Sequence, residues 1–569
     1  MSLKPLSTLT PVLMVMFFVG CDQAPTKGVD RIFLNGGVYL ADTEHSWAEA
    51  VGIDNGEIVF VGGSADAQSL IGSNTEVTDL AGKMLMPGFH DGHAHVSYGG
   101  RMGLGCFITS RSSLEETRQQ LNDCATANNY APDEWVTGGG WELYAFGDQG
   151  PTSGMLDEVF PGNPVVLYDA FGHNAWVSSR ALELAGITSK TPDPPQGVIV
   201  RDPETGEPTG TLRDAAMSMV DHAIEQVSDG KRYEGLLRGL EEVNRYGITA
   251  FIEPGASERK ARLYKKAEEN GALTARVILS LSPIDELPDS VGPELFDLLA
   301  KRDQFRGSYI NPDSVKIYID GVIETQTSTM IEAYSDGTNA APFYEQGQLN
   351  LLYEQLDHMG LQIHTHAIGD GAIRIALDAY EHALFENGPN ENGHQIVHLQ
   401  LIDPADQPRF GELNVAANFQ CLWCYPDPYI YLAEDFVGKE RVQQFYPVKS
   451  LQDAGALLVG GSDWDVTSLN PLEAIETAVR RQDPYTDSGP VLGENEEVDL
   501  VTALDMYTRN AAKVMRLETK TGTIAVGKRA DLVVLDRNLF SIPATEISEA
   551  QVLLTLMDGK EVYRAGGVD

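Results

Sequence analysis

The segment Met84-Leu-Met-Pro-Gly-Phe-His-Asp-Gly-His-Ala-His95 joins an apolar run to two histidines at positions i and i+2. Side chains with this spacing on a strand point to the same face, so the imidazoles of His93 and His95 can reach one metal ion. His90 is out of phase with the pair and is expected to support the site or the fold. The pattern predicts a metal site at the end of a buried strand, and the alternative is two histidines in a surface loop.

Seven further apolar runs end in polar or potentially catalytic residues, and amphipathic helical stretches such as 371–386 and 472–481 lie between several of them. Eight such units predict an α/β fold, a (β/α)8 TIM barrel with its active site at the carboxyl ends of the strands. A Rossmann-like sheet is the competing arrangement, but no glycine-rich dinucleotide motif follows any run. The eight runs are 84–95, 248–253, 275–281, 315–320, 361–366, 395–398, 415–419 and 456–463.

Both ends of the chain read as short strands separated by turn signals. We expect residues 29–83 and 520–569 to pair into one small β-sandwich domain, with the barrel over residues 84–519. The first two barrel runs are separated by about 150 residues, far too many for one βα unit. Residues 97–245 are therefore expected to form an inserted cap subdomain.

Composition limits the classes of partner. The 569 residues exceed what one compact core holds. Because 83 acidic side chains face only 41 Lys and Arg, the net charge is −42, which argues against binding to nucleic acid or to anionic membranes. A small-molecule substrate is expected, and a homo-oligomer is compatible with the sequence.

The first twenty residues resemble a signal peptide. One charge, Lys4, precedes an apolar stretch that is short for a membrane span. The sequence Phe18-Val-Gly-Cys21 resembles the lipobox of bacterial lipoproteins, in which the cysteine is lipidated. We expect an exported protein, periplasmic or membrane-anchored through Cys21, and an ordinary cleaved signal peptide is the alternative.

Because export places the protein in an oxidising compartment, the other four cysteines are expected to be able to form disulfides. Cys106 and Cys124 then either form a disulfide or remain as two buried thiols. Cys421 and Cys424 form a single CxxC motif without the further ligands of a zinc knuckle, which favours a local disulfide or inert thiols.

The motif Pro87-Gly-Phe-His-Asp-Gly-His-Ala-His95 resembles the first-strand motif of the amidohydrolase superfamily. The remaining motifs follow in order over nearly the whole chain and most resemble the long-chain subgroup that includes N-substituted formamide deformylases. These motifs are Gly139-Gly-Trp141-Glu, Gly172-His173-Asn-Ala-Trp176-Val-Ser-Ser, Val315-Lys316-Ile-Tyr-Ile-Asp320-Gly321, His366-Ala-Ile-Gly-Asp370, Gly461-Ser-Asp463 and Gly527-Lys-Arg-Ala-Asp531-Leu-Val-Val-Leu-Asp536.

The resemblance implies one or two divalent metal ions. Four imidazoles with carboxylates suit Zn²⁺, and manganese, iron, cobalt and nickel are the alternatives. Lys316 lies in an apolar strand, where an unpaired ammonium is costly to bury. The family's solution is carboxylation of the lysine to a carbamate that bridges two ions, and the alternative is an ion pair with Asp320 at i+4. The metal ligands implied are His93, His95, Lys316, His366, His398 and Asp463.

The resemblance also assigns catalytic and substrate-binding roles. His364 and His366 share a strand face, and the family motif places the ligand at His366. Asp463 is expected to move the proton in the reaction. The residues expected to act in catalysis are Asp463, Lys316 and His366, and those expected to contact substrate are Trp141, His173 and Asp320.

The activity implied is hydrolysis of a non-peptide carbon–nitrogen bond, in a linear amide, by a metal-activated hydroxide. The same site in this superfamily also attacks esters, lactones and cyclic imides, and the sequence leaves that choice open. Departures from the family pattern at His90 and at Asn418-Phe-Gln420-Cys421 affect the pocket lining. A non-catalytic binding lipoprotein is expected to lack ligands, whereas here all six positions are filled.

Overall fold

The computed structural model describes residues 28–566, except for residues 104, 109–111, 129, 132, 147–149, 170–173, 195–196, 222–227 and 284–291. The predicted leader (1–20), the predicted lipidation site Cys21, and His173 lie outside the described residues. Among the helices that the structure describes, none is long and apolar enough to cross a membrane.

A sheet of eight strands forms the centre of the molecule. Each strand pairs in parallel with the next along the chain, and the Gly92 amide donates to the Gly460 carbonyl (2.8 Å) where the first strand meets the last. The predicted α/β class and TIM barrel are confirmed. The strands are β1 (Phe89–Asp91), β2 (Ile248–Ala256), β3 (Arg276–Leu281), β4 (Ile310–Tyr318), β5 (Gln362–Ala367), β6 (Gln395–His398), β7 (Ala416–Phe419) and β8 (Leu458–Gly460).

Helices surround this sheet, and their bounds follow from capping and amphipathic spacing. Helix Glu258–Glu269, for example, begins after Ser257, whose hydroxyl oxygen accepts a hydrogen bond from the Lys260 amide (3.3 Å). Its apolar side chains are buried in the core. The helices after β1 to β8 are Val96–Met102, Glu258–Glu269, Glu294–Leu299, Gln346–His358, Asp370–Asn387, Gln407–Glu412, Pro428–Val437, Lys439–Val442, Val448–Asp453, Pro471–Arg480, Leu500–Met506 and Arg509–Val514.

Two sheets from both ends of the chain pack face to face, as expected for the β-sandwich. Phe33 and Val51 of one sheet share a core with Leu85 and Leu532 of the other. A short helix, Ser64–Ala67, follows the strand Glu57–Gly62 in the chain. The first sheet contains Arg31–Leu34, Ala50–Asp54, Glu57–Gly62 and Glu76–Asp79, and the second contains Gly37–Tyr39, Trp47–Ala48, Met84–Pro87, Leu532–Leu535, Val552–Met557 and Lys560–Arg564.

The run 84–95 differs from its prediction as a single barrel strand. Met84–Pro87 pairs antiparallel with Leu532–Leu535 in the sandwich, and the barrel strand begins only at Phe89. Gly88 separates the two, and a Cβ there would lie 2.4 Å from the Thr249 side chain, so the close approach requires glycine. The proposed division of the chain into 29–83 plus 520–569, 84–519 and 97–245 stays a prediction.

The long insertion between β1 and β2 contains a six-stranded sheet with its own core. A disulfide joins Cys106 on its first strand to Cys124 on the following helix (Cα–Cα 5.5 Å), whereas Cys421 and Cys424 are free, buried thiols. The cap strands are Cys106–Phe107, Val136–Trp141, Val165–Asp169, Asn174–Val177, Gly197–Arg201 and Pro208–Asp214; the helices are Leu114–Asn128, Ser153–Val159, Ser179–Leu184, Ser218–Asp221 and Asp229–Arg245.

Candidate metal centre

The six predicted ligands all occur at or just beyond the carboxyl ends of barrel strands, where TIM barrels place their active sites. Three of them, His93, His398 and Asp463, offer ligand atoms within 4.8 Å of one another. The elements that carry the six side chains are β1 with the loop after it (His93, His95), β4 (Lys316), β5 (His366), β6 (His398) and the loop after β8 (Asp463).

The carboxylate of Asp463 is the centre of this arrangement. Its Oδ1 lies 3.3 Å from Nε2 of His93 and 3.1 Å from Nε2 of His95, and its Oδ2 lies 3.9 Å from Nδ1 of His398. The His366 ring completes the group, with its centroid 4.5 Å from that of His398. Four imidazoles and one carboxylate therefore converge on one small volume.

Backbone contacts hold the loops that carry these ligands. The Asp463 amide donates to the His93 carbonyl (2.7 Å), and the His95 amide donates to the Trp464 carbonyl (2.7 Å). Asp463 itself has φ +52°, a left-handed conformation that is uncommon outside glycine and often marks a functional position. The loops after β1 and β8 are thus bound to each other at the point where both present ligands.

The donor atoms fit a metal ion. Nε2 of His93 and Oδ1 of Asp463 are buried and have no hydrogen-bond partner among the described residues. Burial lowers the pKa of His93 to about 3, so its imidazole is neutral and does not compensate the carboxylate. A buried carboxylate needs a compensating cation, and imidazole nitrogen with carboxylate oxygen is a donor set that suits zinc and neighbouring transition metals.

The two histidines of β5 occupy different depths. His364 is fully buried, and its Nε2 lies 2.6 Å from Nδ1 of His93. His366 is slightly exposed, and its Nε2 lies 3.3 Å from the Gly321 carbonyl oxygen. The predicted ligand His366 is therefore at the barrel mouth beside His398, while His364 lies against the far nitrogen of another predicted ligand.

Lys316 is almost completely enclosed, with 1% of its surface exposed. Its Nζ lies 4.7 Å from the centre of the Tyr318 ring. Burial lowers the pKa of this amine to about 7. The alternative ion pair with Asp320 is not found: within the described part of the chain, no hydrogen bond or ion pair involves the Lys316 ammonium.

Asp320 and Trp141 are both fully buried, and Oδ1 of Asp320 lies 3.8 Å from Nε2 of His366. The Asp320 carboxylate accepts hydrogen bonds from the amides of Thr329, Ile368 and Gly369 (3.0–3.1 Å), so it ties the loops after β4 and β5 together. Trp141 is fully buried in the cap core and donates its indole N–H to the Leu167 carbonyl (2.8 Å). The expected substrate contacts of Asp320 and Trp141 stay predictions, and His173 lies outside the described residues.

His90 and Glu253 support the barrel. The Nδ1 of His90 lies 3.0 Å from the Gly88 carbonyl oxygen, and its Nε2 lies 2.8 Å from the Thr521 hydroxyl. The fully buried Glu253 accepts hydrogen bonds from the amide and the hydroxyl of Ser97, just beyond His95. It thereby fixes the start of the helix that follows the paired histidines.

Sequence reasoning missed a buried group of side-chain amides beneath the ligands. Gln395, Asn418 and Gln420, on or next to β6 and β7, are hydrogen-bonded to one another and to the histidines above them. A signal was present in the sequence, because Gln395 and Asn418 are amides within apolar strands that are buried on both faces, and Gln420 directly follows the second of these strands. Such residues are costly to bury unless they are paired.

The model of the amidohydrolase family matches residues 76–563. The chain belongs to the amidohydrolase family. It is therefore placed among hydrolases, and the resemblance inferred from its motifs is confirmed.

Two relatives of this amidohydrolase align over nearly its whole length. The protein LONG AFTER FAR-RED 3 of Arabidopsis thaliana is 32% identical, with 95% of this chain and 93% of that protein covered. The N-substituted formamide deformylase of Arthrobacter pascens is 29% identical, with 95% and 100% covered. A crystal structure of an uncharacterized metal-dependent hydrolase from Pyrococcus horikoshii OT3 shares the fold, with a TM-score of 0.72 at 24% identity over 90% of this chain and 99% of that one.

Proposed function

We propose that this amidohydrolase hydrolyses a non-peptide carbon–nitrogen bond, in a linear amide, with the help of one or two divalent metal ions. The observation that carries the proposal is the carboxylate of Asp463 surrounded by the imidazoles of His93, His95 and His398 at the mouth of the barrel. The likeness to an N-substituted formamide deformylase supports an amide over other acyl compounds.

The residues that would hold the metal are His93, His95, His366, His398, Asp463 and a carboxylated Lys316. When bound, a metal ion of this kind supplies Lewis acidity, which activates water and polarises a carbonyl group. Zn²⁺ is the ion we propose, because the site offers mainly imidazole nitrogens.

The chain's own groups then supply positioning and proton transfer. The Asp463 carboxylate is the base that accepts a proton from the attacking water and delivers it to the departing amine. His366, at the barrel mouth, is placed to contact the reacting group, since it lies beside His398 and is the more exposed of the two histidines on β5. Burial of Lys316, which lowers its pKa to about 7, favours the neutral amine that carboxylation requires.

A substrate panel tests the reaction. N-substituted formamides, longer N-acyl amines, a lactone and a hydantoin are incubated with the protein purified without chelators, and the Asp463→Asn variant prepared in parallel controls for contaminating hydrolases. Turnover of formamides or other linear amides by the parent alone is the expected result. Preference for the lactone or the hydantoin contradicts the linear-amide assignment, and metal analysis of the same sample reports the ion and its stoichiometry.

We also propose that the enzyme is exported and anchored through Cys21. The disulfide between Cys106 and Cys124 supports an oxidising compartment. Mass spectrometry of the mature amino terminus from membrane and soluble fractions tests this. A diacylglycerol-modified Cys21 at the amino terminus is expected, and an unmodified Cys21 contradicts the anchor.

A further inference from the structure

The side-chain amide of Asn418 lies at the junction of a buried hydrogen-bonded chain beneath the metal centre. Its Nδ2 donates to the Gly92 carbonyl (3.0 Å) and to Oε1 of Gln395 (2.8 Å), and its Oδ1 accepts from Nε2 of Gln420 (3.2 Å). Asn418, Gln395 and Gln420 are all fully buried. Every polar atom of the Asn418 side chain is therefore used.

The Gly92 carbonyl fixes the orientation of this amide. A backbone carbonyl only accepts hydrogen bonds, so the nitrogen of the Asn418 side chain, and not its oxygen, must face it. The contact depends on the glycine, because a Cβ at position 92 would lie 2.6 Å from Nδ2 of Asn418. Once Asn418 is fixed, the orientations of Gln395 and Gln420 follow from the same donor and acceptor rule.

One branch of the chain reaches His398. Gln420 uses its nitrogen for Asn418, so its Oε1 faces Nδ1 of His398 at 2.9 Å and accepts a hydrogen bond from it. A neutral imidazole has one N–H, and in His398 this group is at Nδ1. Nε2 is then the nitrogen that retains a lone pair for a metal ion.

The other branch reaches His93. Gln395 uses its oxygen for Asn418, so its Nε2 donates to Nδ1 of His364 (3.0 Å). The N–H of a neutral His364 is therefore at Nε2, 2.6 Å from Nδ1 of His93. This hydrogen bond holds the His93 ring against His364 and leaves the hydrogen of a neutral His93 on Nε2, 3.3 Å from Oδ1 of Asp463. A metal ion can bind that nitrogen only after the hydrogen has moved to Nδ1, so this branch positions the His93 ring and does not select its metal-binding nitrogen.

We infer that Asn418 is the positioning residue that orients the imidazole of His398 for metal binding through Gln420, while its contact with Gln395 holds the His364–His93 pair in place. The inference rests on the proposed function, since it assumes that this site binds a metal ion. Asn418 itself touches neither a predicted ligand nor the reacting atoms, so its effect is expressed through the affinity for metal.

The test measures the affinity of metal-depleted protein for Zn²⁺ by competition with a chromophoric chelator. Asn418→Leu is expected to weaken zinc binding by about 10- to 100-fold, as for other residues that orient metal ligands. Asn244→Asp is the matched control: Asn244 is 2% exposed and donates to the Thr274 carbonyl (3.1 Å), away from the chain of hydrogen bonds. It is expected to change zinc affinity by less than about twofold even where it lowers the denaturation midpoint.

Two variants at Gln420 keep the inference testable if Asn418→Leu fails to fold. Gln420→Leu removes the acceptor for His398 and is expected to weaken zinc binding. Gln420→Glu retains that acceptor but loses the hydrogen bond to Oδ1 of Asn418, so it is expected to weaken zinc binding less than Gln420→Leu does. The double variant Asn418→Leu with Gln420→Leu is expected to bind no more weakly than Asn418→Leu alone, because both changes interrupt the same path.

The possible outcomes distinguish a failure of the positioning role of Asn418 from a failure of the proposed metal-dependent function. If the parent protein binds zinc and the Asn418 and Gln420 variants bind it equally well, the positioning role is wrong and the metal centre stands. The same conclusion follows if Asn244→Asp weakens binding as much as Asn418→Leu. If the parent binds neither Zn²⁺ nor Mn²⁺, both the metal centre and the positioning role are wrong.

Discussion

The guanidinium of Arg276 and the carboxylate of Asp531 form a two-point hydrogen bond (2.7 and 3.1 Å) between the start of β3 and the carboxyl-terminal part of the sandwich. Both groups are buried, and Arg276 also reaches Asp558 at 2.6 Å. The contact joins residues 255 positions apart in the sequence, at the end of the barrel opposite the metal centre. It fixes the sandwich to the barrel.

Arg276→Met is expected to lower the free energy of unfolding by about 3–5 kcal/mol, because it leaves the buried carboxylate of Asp531 without its cation, while Asp558 keeps its ion pair with Arg529. Arg180→Ala is the control, since the Arg180–Glu183 pair is largely exposed and is expected to contribute at most about 0.5 kcal/mol. Urea denaturation followed by circular dichroism measures both. A loss of less than about 1 kcal/mol in Arg276→Met contradicts a stabilising role for the contact.

Stability is expected to fall as the pH drops from about 6.5 to about 4. Burial lowers the pKa of His90 to about 4 from its ordinary value of 6.5, so the unfolded chain takes up a proton before the folded one does. Each such histidine contributes up to about 1.4 kcal/mol per pH unit in this window. The free energy of unfolding is measured by urea denaturation at pH 7, 6 and 5 for the parent and for His90→Gln. The slope of this free energy against pH should be smaller in His90→Gln, by an amount that corresponds to about one proton. An unchanged slope would mean that His90 is protonated in the folded protein.

Asp463→Asn is expected to lower kcat by about 10²- to 10⁴-fold, because the amide keeps the shape of the side chain and loses the base. Metal analysis should show that most of the metal is retained. Asp487→Asn, at an exposed position, is the control for loss of activity during purification. Turnover like that of the parent enzyme would refute the role of Asp463.

Lys316→Ala is expected to abolish activity and to remove one metal equivalent, because a carbamate at this position would provide an oxygen to each of two ions. A short carboxylic acid such as propionate should partly restore activity by occupying the vacated bridge. Lys265→Ala, at a partly exposed pair with Glu268, is the control. An unchanged metal content with activity retained would exclude the carbamate.

The sequence predicted the barrel well, because apolar runs that end in polar residues mark buried parallel strands directly. It failed for Met84–Pro87, since an apolar run does not indicate which of two neighbouring sheets it joins. The pairing of Lys316 with Asp320 failed for a different reason. Strand periodicity placed both on one face, but β4 ends at Tyr318, and Asp320 lies in the loop beyond it.

The metal ligands could be named from motifs, but the amides that support them could not. Asn418 and Gln420 were interpreted as changes in the pocket lining, whereas both are fully buried and hydrogen-bonded below the ligands. Their roles depend on contacts with β1 and β6, which are far away in the sequence. Only the closed barrel brings the Gly92 carbonyl to Asn418, 326 positions along the chain.

The shared sandwich has a consequence for biosynthesis. The ribosome releases residues 28–83 and all eight barrel strands before it makes Leu532–Leu535, the antiparallel neighbour of Met84–Pro87. Until that neighbour arrives, Met84–Pro87 has an open edge, and His93 lies six residues beyond Pro87, the last residue of this strand. This sheet of the sandwich therefore stays incomplete until the carboxyl-terminal strands have been synthesised, so a single domain depends on segments made at the beginning and at the end of translation.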